Sequence, residues 1–485
     1  MNPLYLIVFV IHTSFSDGIT RRFIVSLFLS LMVGTSFLPS LELQEYYIRV
    51  LTPLAIFFSV VMFPPLNIPK PTGPLTVGVF DTYLKKDGLT QKSNLHTHIK
   101  IRVLYPCEKT DSIFKETSIP YQEKGEAICD KFLQFGGPPA TRKHGWLLHF
   151  WLLIRPRFAP KAYLMALNSL REVPGFEEFD GYPVVLYSHG LFGNNAMYSV
   201  QAGNLASNGY VVIMVDHMDG SAPMSNDHDG KLVEHQVDLY EFRKNAPKPG
   251  FKEWDTPDYV AARRIQNEKR VEEYLEVSRR ILTWNKTDDV FVNGNIKPPA
   301  GFSFKGKLNT KNGIHGIGHS YGGCCVLTSV SRQPQNFRSA VAHDPAVDWI
   351  AEDARRHIES GHKSGYTGGR PYLKPNGPLS KGLDTLPIFV LYCSDWIGKQ
   401  WGHSPIVIDK IEAGLLGGKG SKAEFVEDTF HFTFSDQTVV MPWWLNKVLN
   451  FVGTAGAVEK GEECFTRTFE FLKNVEGGVE SKKKK

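Results

Sequence analysis

Gly318-His319-Ser320-Tyr321-Gly322 is a G-x-S-x-G run set between a short apolar segment, Gly313 to Ile317, and a stretch that can pack as a helix, Gly323 to Val330. Strand, sharp turn and helix form the context in which such a run acts as a nucleophile elbow. A serine hydroxyl is a weak nucleophile at its own pKa, so the chain must hold it exposed on a strained turn beside a base. Glycines at 318 and 322 leave room for that turn. The five-residue pattern is also common in Gly-rich surface turns, and its flanks are what favour the elbow.

Working outward, strands and helices alternate on both sides. Tyr182 to Ser188 reads as a buried strand that ends in His189-Gly190-Leu191-Phe192-Gly193. A helical pattern then runs through Leu205 to a second strand, Tyr210 to Asp216. His98 to Tyr105 alternates well enough for a strand, and Ala340 to His343 and Pro387 to Cys393 are two more candidates. Tyr259 to Trp284 is a long charged helix with Val271, Leu275, Ser278, Ile281 and Leu282 on one stripe, the pattern of a helix lying on a sheet. This alternation predicts an α/β chain, a mostly parallel central sheet covered by helices on both faces.

Composition narrows the function classes. The 485 residues are 42% hydrophobic and 22% charged, with a formal net charge of +5 and no basic, aromatic-studded stripe. No nucleic-acid partner is expected. Six cysteines show neither metal-ligand spacing nor the density of a disulfide scaffold, and they read as mostly reduced and buried. No cofactor or metal is expected.

Three regions follow: a hydrophobic membrane-anchor region at 1–66, a catalytic domain at 67–475 and a basic tail at 476–485. Leu4 to Ile11, Phe23 to Leu38 and Val50 to Phe63 are uncharged, each short of the ~20 apolar residues that span a bilayer. Without a basic segment ahead of Leu4 or a clean cleavage site, a retained anchor is favoured over a cleaved signal. Lys482 and Lys483 resemble a dilysine retrieval signal, or are simply a solvated tail. Read as an address, they place the chain at the endoplasmic reticulum with a cytosolic catalytic domain. The run Trp146-Leu147-Leu148-His149-Phe150-Trp151-Leu152-Leu153-Ile154 has basic residues on both sides and is too short to span. It reads either as an interfacial helix, seating Trp146, Leu147, Phe150, Trp151, Leu152 and Ile154 at a membrane surface, or as core.

An elbow serine needs a base, a residue to orient that base, and donors for an oxyanion. In α/β-hydrolases the order along the chain is Ser, acid, His. His431 fits the last place, with His343, His357, His362 and His403 as rivals. Two aspartates, Asp344 and Asp395, each follow a strand, and spacing leaves both open. The oxyanion donors expected are the amide of Tyr321 and, from the loop after an early strand, that of Leu191.

Several pieces, in order along the chain, resemble the platelet-activating factor acetylhydrolases of the plasma and intracellular type II family. They are Tyr182 to Leu191, Leu205 to Tyr210, Gly318 to Gly323, His343-Asp344-Pro345-Ala346, the opening Gly73 to Gly78 and the helix bearing Arg264 to Arg270. The resemblance covers most of 67–455. It implies an α/β-hydrolase that, without calcium, removes short or oxidised acyl groups from the sn-2 position of phospholipids. It also implies Ser320 as nucleophile, Asp344 rather than Asp395 as acid, His431 as base, and Leu191 and Tyr321 as oxyanion donors. The family's apolar helix near 146–154 implies a lipid surface as partner. Two departures stand out: secreted members of the family lack this hydrophobic leader, and Tyr321 stands where a Phe is common. A general membrane-associated carboxylesterase or lipase is the second enzyme reading, and an inactive hydrolase-fold interaction protein a third. Oligomeric state is left open.

Overall fold

Strands of the kind just described need a partner on each side. The computed structural model describes residues 50, 69–85, 98–107, 116–118, 161–163, 181–222, 224–229, 231–234, 257–286, 292–293, 302–360, 382–393, 396, 403–440, 446–447, 453 and 455–483. The chain divides into two compact units. One is made of Met1–Ile68, Ser118–Pro160 and Gln437–Asn450, the other of Pro69–Thr117, Lys161–Asp436 and Phe451–Lys485.

Among the described residues, the second unit is built on a ten-stranded sheet. Its principal elements, in chain order, are β1 (Thr76–Lys85), β2 (His98–Cys107), β3 (Tyr182–Ser188), α1 (Ser199–Ser207), β4 (Val211–Asp216), α2 (Pro257–Trp284), β5 (Ile314–His319), α3 (Tyr321–Arg332), β6 (Phe337–His343), α4 (Glu352–Ser360), β7 (Ile388–Tyr392), α5 (Ile406–Glu412), β8 (Lys422–Phe425) and α6 (Ala457–Lys483). Across the sheet the order is β8, β7, β6, β5, β3, β4, β2, β1 and then the two-residue strand Val292–Asn293, and the tenth strand, Leu308–Asn309, pairs with β3 off this path. From β8 to β4 every neighbouring pair is parallel, and β2 and β1 are added antiparallel.

The centre of this order explains its residues. β3, β5 and β6 have a strand on either side and are buried along their whole length. That is why Tyr182 to Ser188 reads as a near-continuous apolar run rather than an alternating one. On α2 the expected stripe is buried at Val271, Leu275, Ser278 and Ile281. Tyr274 Oη donates to the Leu186 carbonyl at 2.8 Å and Asn267 Nδ2 to Thr328 Oγ1 at 3.2 Å, tying α2 to β3 and to α3. Strands running the same way bring their carboxyl ends to one edge, where loops gather functional side chains.

α6 runs through the expected start of the tail at 476. Glu476 is held by His315 Nε2 at 2.6 Å and by Arg338, so this residue belongs to the folded body of the second unit. In the first unit, Asn446 Nδ2 donates to the Thr438 carbonyl at 2.6 Å. The anchor expected at 1–66, Val50 excepted, and the run 146–154 lie outside the described residues, as does Asp395. Among the described residues no helix is long and apolar enough to cross a membrane. The five cysteines described, 107, 324, 325, 393 and 464, are all free and buried, as expected.

Candidate active site

β5 ends at His319 and α3 begins at Tyr321, so Ser320 is the single residue in which the chain reverses. Its φ of 56° and ψ of −117° lie where a non-glycine residue rarely goes. Such a residue costs on the order of 1–3 kcal/mol and persists only where its surroundings enforce it. Here they do. Ser320 N donates to the His343 carbonyl at 2.8 Å, and the Ser320 carbonyl accepts from Ala346 N at 3.0 Å. The glycines meet a packing demand besides: a β-carbon at Gly318 would fall on the Gly322 carbonyl, and one at Gly322 on the Ser188 carbonyl.

At the end of β6, Asp344 turns back with φ 42° and is fully buried. Its Oδ2 accepts from His431 Nδ1 at 3.0 Å. Cys393, just past β7, donates its amide to Oδ1 at 2.8 Å and its thiol to Oδ2 at 2.7 Å. With Nδ1 protonated toward Asp344, Nε2 of His431 carries the lone pair that a base needs. The His431 ring lies flat against Trp396, 3.8 Å between centroids at 3°, and 4.5 Å from the ring of His319, the residue before Ser320. Trp396 is fixed in turn by donating Nε1 to the Pro345 carbonyl at 2.8 Å.

Among the described residues, no arginine or lysine is bonded to the Asp344 carboxyl. Burial pushes the Asp344 carboxyl up to about 7, against the pull of the two Cys393 hydrogen bonds and the charge of His403. Burial likewise holds the His431 imidazole well below its ordinary range. Perturbation of this kind collects where groups are poised for proton transfer. The rival histidines that are described have other partners: His343 Nε2 meets Thr468 Oγ1 at 2.9 Å, and His403 Nδ1 meets Asp348 Oδ2 at 3.0 Å. His362 and the side chain of His357 lie outside the described residues.

The loop after β3 reaches the same place. A β-carbon on Gly190 would stand 3.3 Å from the β-carbon of Ser320. The amides on either side of Leu191 are tied, Gly190 N to Tyr198 Oη at 2.8 Å and Phe192 N to the Ser221 carbonyl at 3.0 Å. The amides of Leu191 and Tyr321 find no acceptor among the described residues, which leaves two donors for a charge that develops on a ligand. Ser320, Asp344, His431, Leu191 and Tyr321, all named from sequence, therefore meet at one edge of the sheet. Ligand atoms of His319, Asp344 and His431 also fall within 4.8 Å of one another, a spacing a metal ion could bridge, although both oxygens of Asp344 are already engaged.

Other residues here were not singled out by sequence reasoning. Tyr198, Cys393 and Trp396 contact the site through the bonds and ring contact given above. His319 occupies the first variable position of the elbow, and its Nδ1 is hydrogen-bonded to Tyr198 Oη, 2.9 Å away. The position in the motif was the one available signal for it, since nothing in sequence spacing links Tyr198 or Cys393 to Ser320.

The fold is one already seen in solved esterases. A ferulic acid esterase from Streptomyces cinnamoneus superposes with a TM-score of 0.50 over 84% of this chain and 93% of its own, at 15% sequence identity, a likeness of α/β-hydrolase fold alone. Among curated relatives, a platelet-activating factor acetylhydrolase from Cavia porcellus is 26% identical over 60% of this chain and 58% of its own length. A putative phospholipase A2 from Schizosaccharomyces pombe is 26% identical over 57% of this chain and 62% of its own. The chain thus spans about three fifths of the length of these two relatives. The family model described as platelet-activating factor acetylhydrolase, isoform II, matches residues 60–360, more than half of the 485 residues, and the chain belongs to that family.

Proposed function

We propose that this protein is a calcium-independent serine hydrolase that cleaves the sn-2 acetyl or short or oxidised acyl ester of platelet-activating factor and related phospholipids. The observation that carries the reading is the bond from His431 Nδ1 to the buried Asp344, set beside a strained Ser320. In this mechanism Ser320 Oγ attacks the ester carbonyl while His431 Nε2 takes its proton, and Asp344 holds the imidazole in the required tautomer. The carbonyl oxygen, now an anion, accepts from the amides of Leu191 and Tyr321. As the tetrahedral intermediate collapses, the bond to the glycerol oxygen breaks and His431 gives that oxygen its proton. Lysophospholipid leaves and an acyl-Ser320 ester stays. Water, deprotonated by His431, then attacks the acyl-enzyme, releasing the acid and restoring Ser320.

The lipid class comes from family membership, and the chemistry from the geometry. Association with a membrane surface, and residence at the endoplasmic reticulum with the catalytic unit facing the cytosol, rest on the apolar runs at 1–66 and 146–154 and on the terminal lysines. A panel of sn-2 acetyl, oxidised and long-chain phosphatidylcholines beside simple aryl esters tests the reading. Turnover of acetyl and oxidised chains well above long chains, unchanged by EDTA, is the expected result. Equal rates on every ester would point instead to a general carboxylesterase, and loss of activity in EDTA restored by calcium would contradict the mechanism.

A further inference from the structure

Beneath the two amides assigned to the oxyanion lies a fully buried arginine that the mechanism does not use. Arg270, from α2, donates from Nε to Asp219 Oδ2 at 2.8 Å, with both side chains inaccessible to solvent. One terminal nitrogen reaches the His189 carbonyl, two residues ahead of Leu191, and the other reaches Ser221 Oγ. The guanidinium lies over the Tyr321 ring, 4.6 Å from its centroid. Ser221 is drawn in a second time, since its carbonyl accepts from Phe192 N at 3.0 Å and its amide and hydroxyl both donate to Asp219 Oδ1, at 2.9 and 2.5 Å. The peptides around Leu191 are thus pinned to Arg270 from both ends. The face of the same plane lies over the ring of Tyr321, the residue that supplies the second amide.

We propose that Arg270 is the positioning residue of the oxyanion hole, setting the Leu191 and Tyr321 amides at a common point through the planar fork of one side chain. The proposal rests on the serine hydrolase reading above. A guanidinium does here what an ammonium cannot, because three donors and a stacking face are fixed in one plane. Donors aimed before the reaction starts are worth more than donors that must turn to meet the charge.

The test uses the full-length chain and two inhibitors of matched shape. A trifluoromethyl ketone adds the serine oxygen and leaves a hemiketal oxyanion, whereas the corresponding secondary alcohol binds without reacting. Arg270→Lys should lower kcat on an aryl acetate by roughly 10²–10³-fold, the loss typical of one missing oxyanion donor. It should weaken the ketone by the same factor and leave the alcohol within about threefold. Ser221→Ala, which removes one contact of the fork, should lower the ratio of ketone to alcohol affinity by roughly tenfold. Arg338→Gln disturbs another buried arginine, at the opposite ends of the strands, and should leave that ratio at the parent value. An Arg270→Lys protein whose ketone and alcohol affinities fall together, or not at all, overturns the proposal, provided Ser320→Ala is inert. If Arg270→Lys does not fold, an unchanged ratio in Ser221→Ala overturns it instead. Should Ser320→Ala keep its turnover, the reading of the site is wrong and this inference falls with it.

Discussion

Two histidine–carboxylate pairs sit at opposite ends of the same two central strands. At the carboxyl ends, beyond β5 and β6, His431 Nδ1 meets Asp344 at 3.0 Å. At the amino ends, His315 Nε2 of β5 meets Glu476 of α6 at 2.6 Å, with His315 Nδ1 bonded to Ser339 Oγ at 2.7 Å. What separates them is one cation. Arg338, on β6, pairs with Glu476, whereas the bonded partners of Asp344 among the described residues are the thiol and amide of Cys393 and the imidazole of His431. Burial alone would push either carboxyl up, and it does push Asp344 up to about 7. Glu476 feels burial too, yet the hydrogen bond and charge of His315 and the charge of Arg338 carry it down to about 2. A neutralised pair holds a helix to a sheet; an unneutralised pair keeps a proton in play.

The sharpest way to break the comparison is to neutralise each carboxyl in turn. Asp344→Asn should lower kcat by roughly 10⁴-fold, since the amide favours the wrong imidazole tautomer. Glu476→Gln should leave kcat within about threefold at a temperature where the protein is folded. Steady-state kinetics on one ester separates the two, and equal losses would erase the distinction drawn here.

The next test exchanges activity for stability. Arg338→Gln leaves a largely buried carboxylate without its cation, a change that typically costs about 3–5 kcal/mol. Urea unfolding should show a free energy lowered by that amount, with a correspondingly lower midpoint, while kcat at low temperature is retained. A stable variant with impaired turnover would reverse the roles of the two ends.

These tests lean on residues of very unequal visibility in the sequence. The elbow was legible because a local five-residue pattern sits between two segments of clear period, and β3, β4, β6, β7 and α2 were legible for the same reason. β8 was not seen: Lys422, Ala423 and Glu424 are only partly buried, and an edge strand of four residues offers no apolar pattern to read. α6 passed unnoticed behind its terminal lysines, although Cys464, Phe465, Thr468, Phe471 and Leu472 form its buried face. The choice between Asp344 and Asp395 could not come from spacing, because both follow strands, and it needed the family resemblance. Arg270 lay inside a stretch noted only for that resemblance. Its partners are 49 to 81 residues away along the chain, and no local pattern records contacts at that range.

Acidity should sharpen the contrast with opposite signs at the two ends. Asp344 titrates higher when folded than its ordinary value of 3.8, so the native state gains a proton and stability from this group declines as pH rises toward about 7. Activity runs the other way. A proton on the dyad disables the base wherever it resides, because an imidazolium has no lone pair and a protonated Asp344 turns Nε2 into a donor. kcat/KM should therefore fall about tenfold per pH unit below about 7. Glu476 is depressed when folded, so its contribution is complete above its ordinary value of 4.5 and is lost as pH falls through about 2, on the order of 3 kcal/mol in all. A pH–rate profile flat from 8 to about 5 would contradict the assignment of the unneutralised pair.

The smallest expected effect belongs to Cys393. Its thiol donates to Asp344 Oδ2 and favours the ionised carboxylate. Cys393→Ala should move the acid limb of the profile upward and lower kcat at neutral pH by less than about tenfold, the scale of one hydrogen bond to a charged group. No displacement of the limb would mean that the thiol is a passive neighbour.

The central claim is that the strained serine becomes acylated during turnover, and peptide mass spectrometry of the protein tests it most directly. The full-length chain is mixed with an aryl acetate, quenched in acid within the first turnovers and digested. The account predicts one acetyl group per chain, on the peptide that carries Ser320, and none in Ser320→Ala. Acetyl found on another residue such as Ser188, or undiminished hydrolysis by Ser320→Ala, would contradict it.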